Sequence, residues 1–338
     1  MDALLDETEQ LLAESIAAQV AAAIPATVSG IESFRDDAFW GQLAATDLLG
    51  LGLPESSGGM GTMVDAAVVL AALGRAVAPV PYLGAAVLPG QLLAGAGASA
   101  AVITELVDGT RRGAVAFDAD LADVATTETA AVAFDAAGSD VALAIQPSGD
   151  VVCVEIGDDR DAFDLTRCVA DVASGQRGER VGALTGDARA RWRAVALVAV
   201  AADLVGVMAG ALDLAVEHAR TRVQFGVPIG RFQAVQHLLA DAHVDAEGAR
   251  SLVNHAAWAI DHLDLADAVS AAHVAKAYCS EKGKLVCERV IQVHGGMGMT
   301  WECRAHLYHR RAMTDRALLG DESVHYRAIA GRPASGIG

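Results

Sequence analysis

Two stretches of the chain set its reading. The first is Arg220-Thr221-Arg222-Val223-Gln224-Phe225-Gly226-Val227-Pro228-Ile229-Gly230-Arg231-Phe232-Gln233. The second is Gln292-Val293-His294-Gly295-Gly296-Met297-Gly298-Met299-Thr300. The first puts a guanidinium at the end of one helical pattern and a Gly/Pro turn before the next. Arg222 can grip a phosphate through two parallel N–H groups, and Phe225 can cover a ring. The same letters also fit a helix end whose arginine satisfies carbonyls above a buried phenylalanine. The second stretch has glycine at three of four positions after a helix. Bare glycine lets a ligand approach the backbone, and the Gln292 amide offers both donor and acceptor. An ordinary helix cap with a tight turn would read the same way.

Helical spacing surrounds both stretches. Residues 190–222, 232–263 and 265–294 read as long helices, and residues 304–330 supply one or two more. Long helices with short connections are antiparallel neighbours, so residues 185–338 read as a C-terminal four-helix bundle. Residues 194–212 are apolar enough to imitate a membrane span. They are rich in Ala and Gly and carry Asp203, so a helix buried in the bundle explains them and no membrane span is expected.

Upstream, helical patterns occupy 6–23, 34–49, 64–76 and 85–107. Leu53-Pro54-Glu55-Ser56-Ser57-Gly58-Gly59-Met60-Gly61, Pro79 and Pro81 punctuate them. Residues 1–109 therefore read as an N-terminal helical domain. From 110 to 184 the pattern changes. Short apolar runs at 113–117, 130–134, 141–145 and 151–156 are separated by turns such as Ala137-Gly138-Ser139-Asp140 and Pro147-Ser148-Gly149-Asp150. This is a small antiparallel β domain. The expected fold class is α+β, mostly α.

Composition agrees. Hydrophobic residues make up 53% of the 338, aromatics only 4%, and there are 34 glycines, so Ala, Val and Leu build a large core of close-packed helices. The net charge of −18 repels phosphate backbones and argues against a nucleic-acid partner. The acidic start lacks the basic region of a secretory leader. Five cysteines without a C-x-x-C spacing read as reduced thiols in a cytoplasmic protein, with no metal site. His294, His306, His309 and His325 show no ligand spacing either.

Taken together on an α-helical C-terminal region, the two stretches resemble the acyl-CoA dehydrogenase family. Leu53-Pro54-Glu55 with Gly58-Gly59 and Gly61 resembles its N-terminal loop. Leu73-Gly74-Arg75-Ala76 with Ala78-Pro79-Val80-Pro81-Tyr82 resembles an actinobacterial-type helix end, and Asp164-Leu165-Thr166-Arg167 the strand leaving its β domain. The likeness covers nearly the whole chain.

The resemblance implies an oligomeric flavoprotein that oxidises an acyl-CoA to the 2,3-enoyl-CoA and passes electrons to an electron-transfer flavoprotein. A carboxylate base takes the α-proton while hydride goes to flavin N5. FAD in this family lies across a subunit interface. By position, Arg222, Gln224, Phe225, Ile229 and Phe232 match the side that holds a neighbour's pyrophosphate and adenine. Gln292, Gly295 and Gly296 match its adenosine side.

The other half departs from the family. No Thr-Glu-Pro…Gly-Ser-Asp loop or Trp-Ile-Thr-Asn-like strand is found, and Gly138-Ser139-Asp140 reads as a plain turn. The usual Glu base falls on Gly320 in Leu319-Gly320-Asp321-Glu322-Ser323. Asp321 and Glu322 are near it, but a helical residue two places on points about 200° away, and Asp321 reads equally as a helix cap. The relatives' alternative base position, near Ala196, has no carboxylate. Asp203, Glu217 and Glu247 read as structural. The favoured reading is a degenerate subunit of a heteromeric acyl-CoA dehydrogenase, of the steroid side-chain type, lending half a flavin site to an intact homologous partner. The alternatives are a self-sufficient homo-oligomer with a relocated base, and a non-catalytic module of the same fold.

Overall fold

A computed structural model describes residues 5–331. Helix α1 (Glu7–Ala23) starts on a capping box, with Asp6 accepting from the Glu9 N–H and the Glu9 carboxylate accepting from the Asp6 N–H. Two short helices follow, α2 (Val28–Ser33) and α3 (Asp37–Ala45), where the spacing predicted one helix from residue 34 to 49. Helix α4 (Met63–Arg75) is capped by Thr62, with Asp65 closing the box. The single Ala-rich helix expected over 85–107 is three pieces. A π-helical turn at Tyr82–Val87 runs into α5 (Leu88–Gly95), and α6 (Ala100–Val107) follows a break at Gly97, where φ is +68°.

Seven strands come next: β1 (Gly113–Phe117), β2 (Ala131–Phe134), β3 (Val141–Ile145), β4 (Asp150–Glu155), β5 (Asp159–Arg160), β6 (Val169–Val172) and β7 (Glu179–Ala183). Their order in the sheet is β5-β6-β2-β1-β3-β4-β7. The expectation of an antiparallel sheet needs one correction. β1 and β3 run parallel, Gly113 opposite Val141, because after β2 the chain crosses over β1 and lays β3 on its far side instead of turning back in a hairpin beside β2. Alternate residues face opposite sides. Val115, Phe117, Phe134 and Leu143 enter the main core, while Ala114, Ala116, Ala133 and Ala142 line a second, alanine-filled cluster. Both faces are buried, which is why these strands read as unbroken apolar runs.

The bundle consists of α7 (Gly186–Thr221), α8 (Gln233–His262), α9 (Leu265–His294), α10 (Ala305–Ala317) and α11 (Glu322–Ala330). Helix α7 contains the span-like stretch. Residues 194–205 are all buried inside the fold. Helix α4 approaches α7 closely at Gly206, where a Cβ would collide with the Ala71 carbonyl.

Candidate functional site

Helices α7 and α9 finish at the same end of the bundle. His218, in the last turn of α7, stacks on His294 in the last turn of α9, with ring centroids 4.4 Å apart and planes 20° from parallel. This stack brings the two stretches quoted at the outset together. Arg222 caps α7, its N–H donating to the His218 carbonyl at 2.9 Å. The chain then forms a hairpin of β8 (Val223–Gln224) and β9 (Val227–Pro228). Its two loop residues, Phe225 and Gly226, have φ of +52° and +80°, the left-handed pair whose twist suits a two-residue hairpin. Phenylalanine in that region stores about 1–3 kcal/mol of strain.

The reading of Phe225 as a buried core residue fails. It is 92% exposed, edge-on to a 36% exposed Phe232, with centroids 6.2 Å apart. Ile229 is half-buried and donates its N–H to the Arg222 carbonyl at 2.8 Å. Gln224 and Gln292 are exposed. Among the described residues, the side chains of Arg222, Gln224 and Gln292 make no hydrogen bond, and Arg220, Arg222 and Arg231 have no carboxylate in ion-pair range. In an acidic chain, three such guanidinium groups within twelve residues are a local concentration of unneutralised positive charge. Gly295 has φ +61° and ψ −143°, a region only glycine occupies comfortably. Gly296 is open, and a Cβ there would meet nothing within 4 Å.

This end fits the phosphates and adenosine of a flavin dinucleotide: free guanidinium and amide groups, an unobstructed glycine, and an aromatic ring standing in solvent. The ring-binding side does not fit. Strand β2 offers no hydroxyl or indole, and all its residues are buried, Phe134 packed edge-on against Phe117 at 6.2 Å. The cavity beside it, lined by Leu121, Val132, Phe134, Phe163 and Thr314, measures about 230 Å³. Gly138-Ser139-Asp140 is a turn, with the Ser139 N–H donating to the Ala136 carbonyl at 2.9 Å.

The position expected for a base is filled by backbone and held shut. Gly320 has φ +98°, and its carbonyl accepts from Lys276 Nζ at 2.8 Å and from His325 Nε2 at 3.1 Å. His325 is fully buried, and burial, with Lys276 and His273 nearby, pushes its pKa down to about 3. It is therefore neutral, and its Nδ1 accepts from His273 Nδ1 at 2.9 Å. Lys276 is also fully buried and donates to Ser280 Oγ at 2.9 Å and to the Arg316 carbonyl at 3.0 Å. The Leu319 N–H donates to the Leu121 carbonyl at 2.6 Å. Arg193 ties the two segments together, donating to the carbonyls of Ala122 and Leu319. The segment around Leu121 thus roofs the turn.

Neither weak candidate is free to act. Asp321 caps α11 through the N–H groups of Ser323 and Val324. Glu322 is gripped by Arg316 through both oxygens, at 2.6 and 2.7 Å. Glu217 is exposed, and Glu247 pairs with Arg250.

Sequence reasoning missed one constellation. Asp203 sits between Arg167 (2.8 Å) and Arg311 (3.4 Å); Arg167 also binds Asp135 at 2.6 Å, and Arg311 binds Asp164 at 2.9 Å. All are buried. Burial pushes the Asp203 pKa up, but Arg167 and Arg311 outweigh it and hold the carboxyl below its usual range. Burial, then the Asp203 charge, pushes Asp315 well above its usual range, so Asp315 carries a proton. The cluster joins the sheet to α7 and α10 and is structural, as expected of Asp203. Its traces in the sequence were Asp203 inside the apolar stretch and the quoted Asp164-to-Arg167 segment.

Residues 2–101 match the family model described as acyl-CoA dehydrogenase, N-terminal domain, and residues 195–333 match acyl-CoA dehydrogenase, C-terminal domain. The chain is 33% identical to the acyl-CoA dehydrogenase IpdE2 of Mycobacterium tuberculosis, over 93% of each chain. It superposes on a chain of the ChsE4–ChsE5 complex from Mycobacterium tuberculosis with a TM-score of 0.83 at 27% identity, covering 99% of this chain and 100% of that one. A variant of the Tcur3481–Tcur3483 steroid ACAD aligns with a TM-score of 0.83 at 26% identity, covering 96% and 97%.

Proposed function

Because the chain belongs to the acyl-CoA dehydrogenase family, we propose that it is the non-catalytic subunit of a heteromeric acyl-CoA dehydrogenase. In this reading it lends Arg222, Gln224, Phe225, Ile229, Phe232, Gln292, Gly295 and Gly296 to the phosphate and adenosine end of an FAD whose ring lies in a homologous partner. The observation that carries the reading is a division within one chain. The end that would face a neighbour's cofactor keeps unpaired, exposed polar groups, whereas the position of the chain's own base is Gly320, roofed and hydrogen-bonded shut.

When bound, FAD supplies the two-electron acceptor for α,β-dehydrogenation of the acyl-CoA, and an electron-transfer flavoprotein takes the electrons onward. This chain's residues bind and orient. Arg222 neutralises phosphate charge, Gln292 fixes the adenosine side, and the hairpin loop covers it. The heteromeric and steroid descriptions of the similar structures support a homologous partner and a steroid-type acyl-CoA substrate.

The test is the visible flavin spectrum of the chain purified alone, then with its partner. The expected result is a colourless chain and a yellow complex. Stoichiometric flavin on the chain alone would overturn the reading in favour of a self-sufficient homo-oligomer.

A further inference from the structure

The link from β1 to β2 passes over the Gly320 turn, and its tip is built as a unit of its own. Asp118 closes residues 118–123 into a loop. Its N–H donates to the Asp123 carbonyl at 3.1 Å, its carbonyl accepts from the Leu121 N–H at 2.9 Å, and its carboxylate accepts from the Ala122 N–H at 2.7 Å. The chain is fastened to the sheet on both sides of this loop. β1 ends at the buried Phe117, and Val124 and Ala125 are buried too. The Ala125 N–H donates to the Ala116 carbonyl at 2.8 Å, and its carbonyl accepts from the Ile145 N–H at 3.0 Å. A tip that satisfies its own amides between two fixed points can swing as one body without unpairing them.

Few contacts hold the tip down. The Leu319 N–H donates to the Leu121 carbonyl at 2.6 Å. Arg193 sends one guanidinium nitrogen to the Ala122 carbonyl at 3.1 Å and the other to the Leu319 carbonyl at 3.0 Å, so one side chain ties the tip to the turn. Asp123 lies 2.8 Å from Arg189 and 3.6 Å from Arg193. Ala119, Asp120 and Ala122 are exposed, and Leu121 is half-buried, so the tip covers little apolar surface of its own. The two residues joined by the backbone bond are both strained. Leu121 has φ +59° and Leu319 φ +63°, a region where leucine is disfavoured. Ala119 and Leu121 also form one wall of the 230 Å³ cavity beside β2.

We propose that residues 118–123 are a lid over the Gly320 turn, hinged at Phe117 and Val124 and latched shut by the two-pronged contact of Arg193. Closed, the lid is an autoinhibitory contact that keeps ligands out of this chain's own cleft. Open, it widens the cavity beside β2 and exposes the turn. Strain on both sides of the bond that must break favours release, and a closed state carried by a few polar contacts opens without unfolding the core. A lid that opens still uncovers a glycine, so the non-catalytic reading does not depend on it. Neither Arg222 nor Gln292 takes part.

Arg193→Lys keeps the charge beside Asp123 but cannot place two fixed N–H groups on two carbonyls. Amide hydrogen exchange of the full-length parent and variant is read residue by residue. The Leu319 amide, whose acceptor is on the lid, should exchange about tenfold faster or more in the variant, as expected for a lost charge-assisted contact. The amides of Asp118, Leu121 and Ala122 should keep their parent rates, because they travel with the lid, and so should those of β1 and β2. Asp123→Asn weakens the same latch from the lid side and should give the same pattern to a smaller degree. An unchanged Leu319 rate in both variants would overturn the latch. Equal acceleration of Asp118, Leu121 and Ala122 would mean that the loop unravels instead of swinging, and acceleration across the sheet would make Arg193 a general support of the fold. Either result overturns the lid, and none of these outcomes bears on the flavin half-site.

Discussion

Lys276→Met should change how the stability of this protein depends on pH. Lys276 is fully buried and donates to three neutral oxygens, those of Ser280, Arg316 and Gly320. Burial pushes its pKa from 10.5 down to about 7. Above pH 7 the folded chain releases this proton while the unfolded chain keeps it. Stability gained from this group therefore rises with pH, by about 1.4 kcal/mol per unit at most, until the unfolded lysine also titrates. Between pH 7 and 9 the gain is about 2 kcal/mol, allowing for half-titration at the lower end. Below the folded pKa both states are protonated and the contribution is flat. Methionine fills similar volume and cannot titrate, and the hydrogen bonds it loses are a constant offset. Urea unfolding of both proteins from pH 5 to 9 reads the difference directly. The variant's stability relative to the parent should stay level to about pH 6, then fall by about 2.7 kcal/mol by pH 9. Parallel curves across the whole range would refute the reasoning, because Lys276 would then be charged throughout and tied to Asp315 rather than to carbonyls.

Other outcomes follow from the same geometry. Arg222→Ala should leave the melting temperature of the isolated chain unchanged, since the side chain has no partner within it. Flavin retention by the assembled complex should weaken about tenfold or more, from the loss of a charge-assisted hydrogen bond of about 1.5–3 kcal/mol; unchanged retention on dilution would reject its placement. Gly320→Glu should not create a dehydrogenase. With φ at +98° and a Cβ 3.1 Å from Val324, it should lower stability by about 1–3 kcal/mol, seen as a drop in melting temperature. Asp315→Asn should be nearly neutral because the acid already holds a proton. Asp203→Asn should cost about 3–5 kcal/mol by stripping Arg167 and Arg311 of a shared carboxylate. Equal denaturation midpoints for the two variants would contradict the protonation assigned here.

Much of the architecture was legible from periodicity. The runs at 113–117 and 141–145 coincide with β1 and β3, and the three long helices end within a few residues of their expected limits. β6 and β7 were missed because Asp171, Glu179 and Arg180 break their apolar pattern at positions open to solvent. The parallel pairing of β1 with β3 depends on chain crossing, which strand composition does not encode. At the candidate site, the sequence located Arg222 and Gln292 but said little of what holds them together. The His218–His294 stack joins residues far apart in the chain, each unremarked alone. Lys276 gave no signal either, since a lysine in an amphipathic helix normally reads as surface. The buried alternative for Phe225 fails because its exposure follows from a left-handed backbone in the hairpin loop with Gly226.

Helix α7 runs 36 residues, roughly 54 Å at the usual rise, from the sheet past Asp203 to the cap at Arg222. Its middle has almost no contact with water, so its amides should exchange with solvent only through the largest unfolding events. The hairpin therefore hangs from the slowest-opening part of the molecule, and a ligand or subunit docking there would have little loop entropy to remove. Docking should register along the same rod, as slower deuterium uptake near the exposed C-terminal end of α7 and not in the strands.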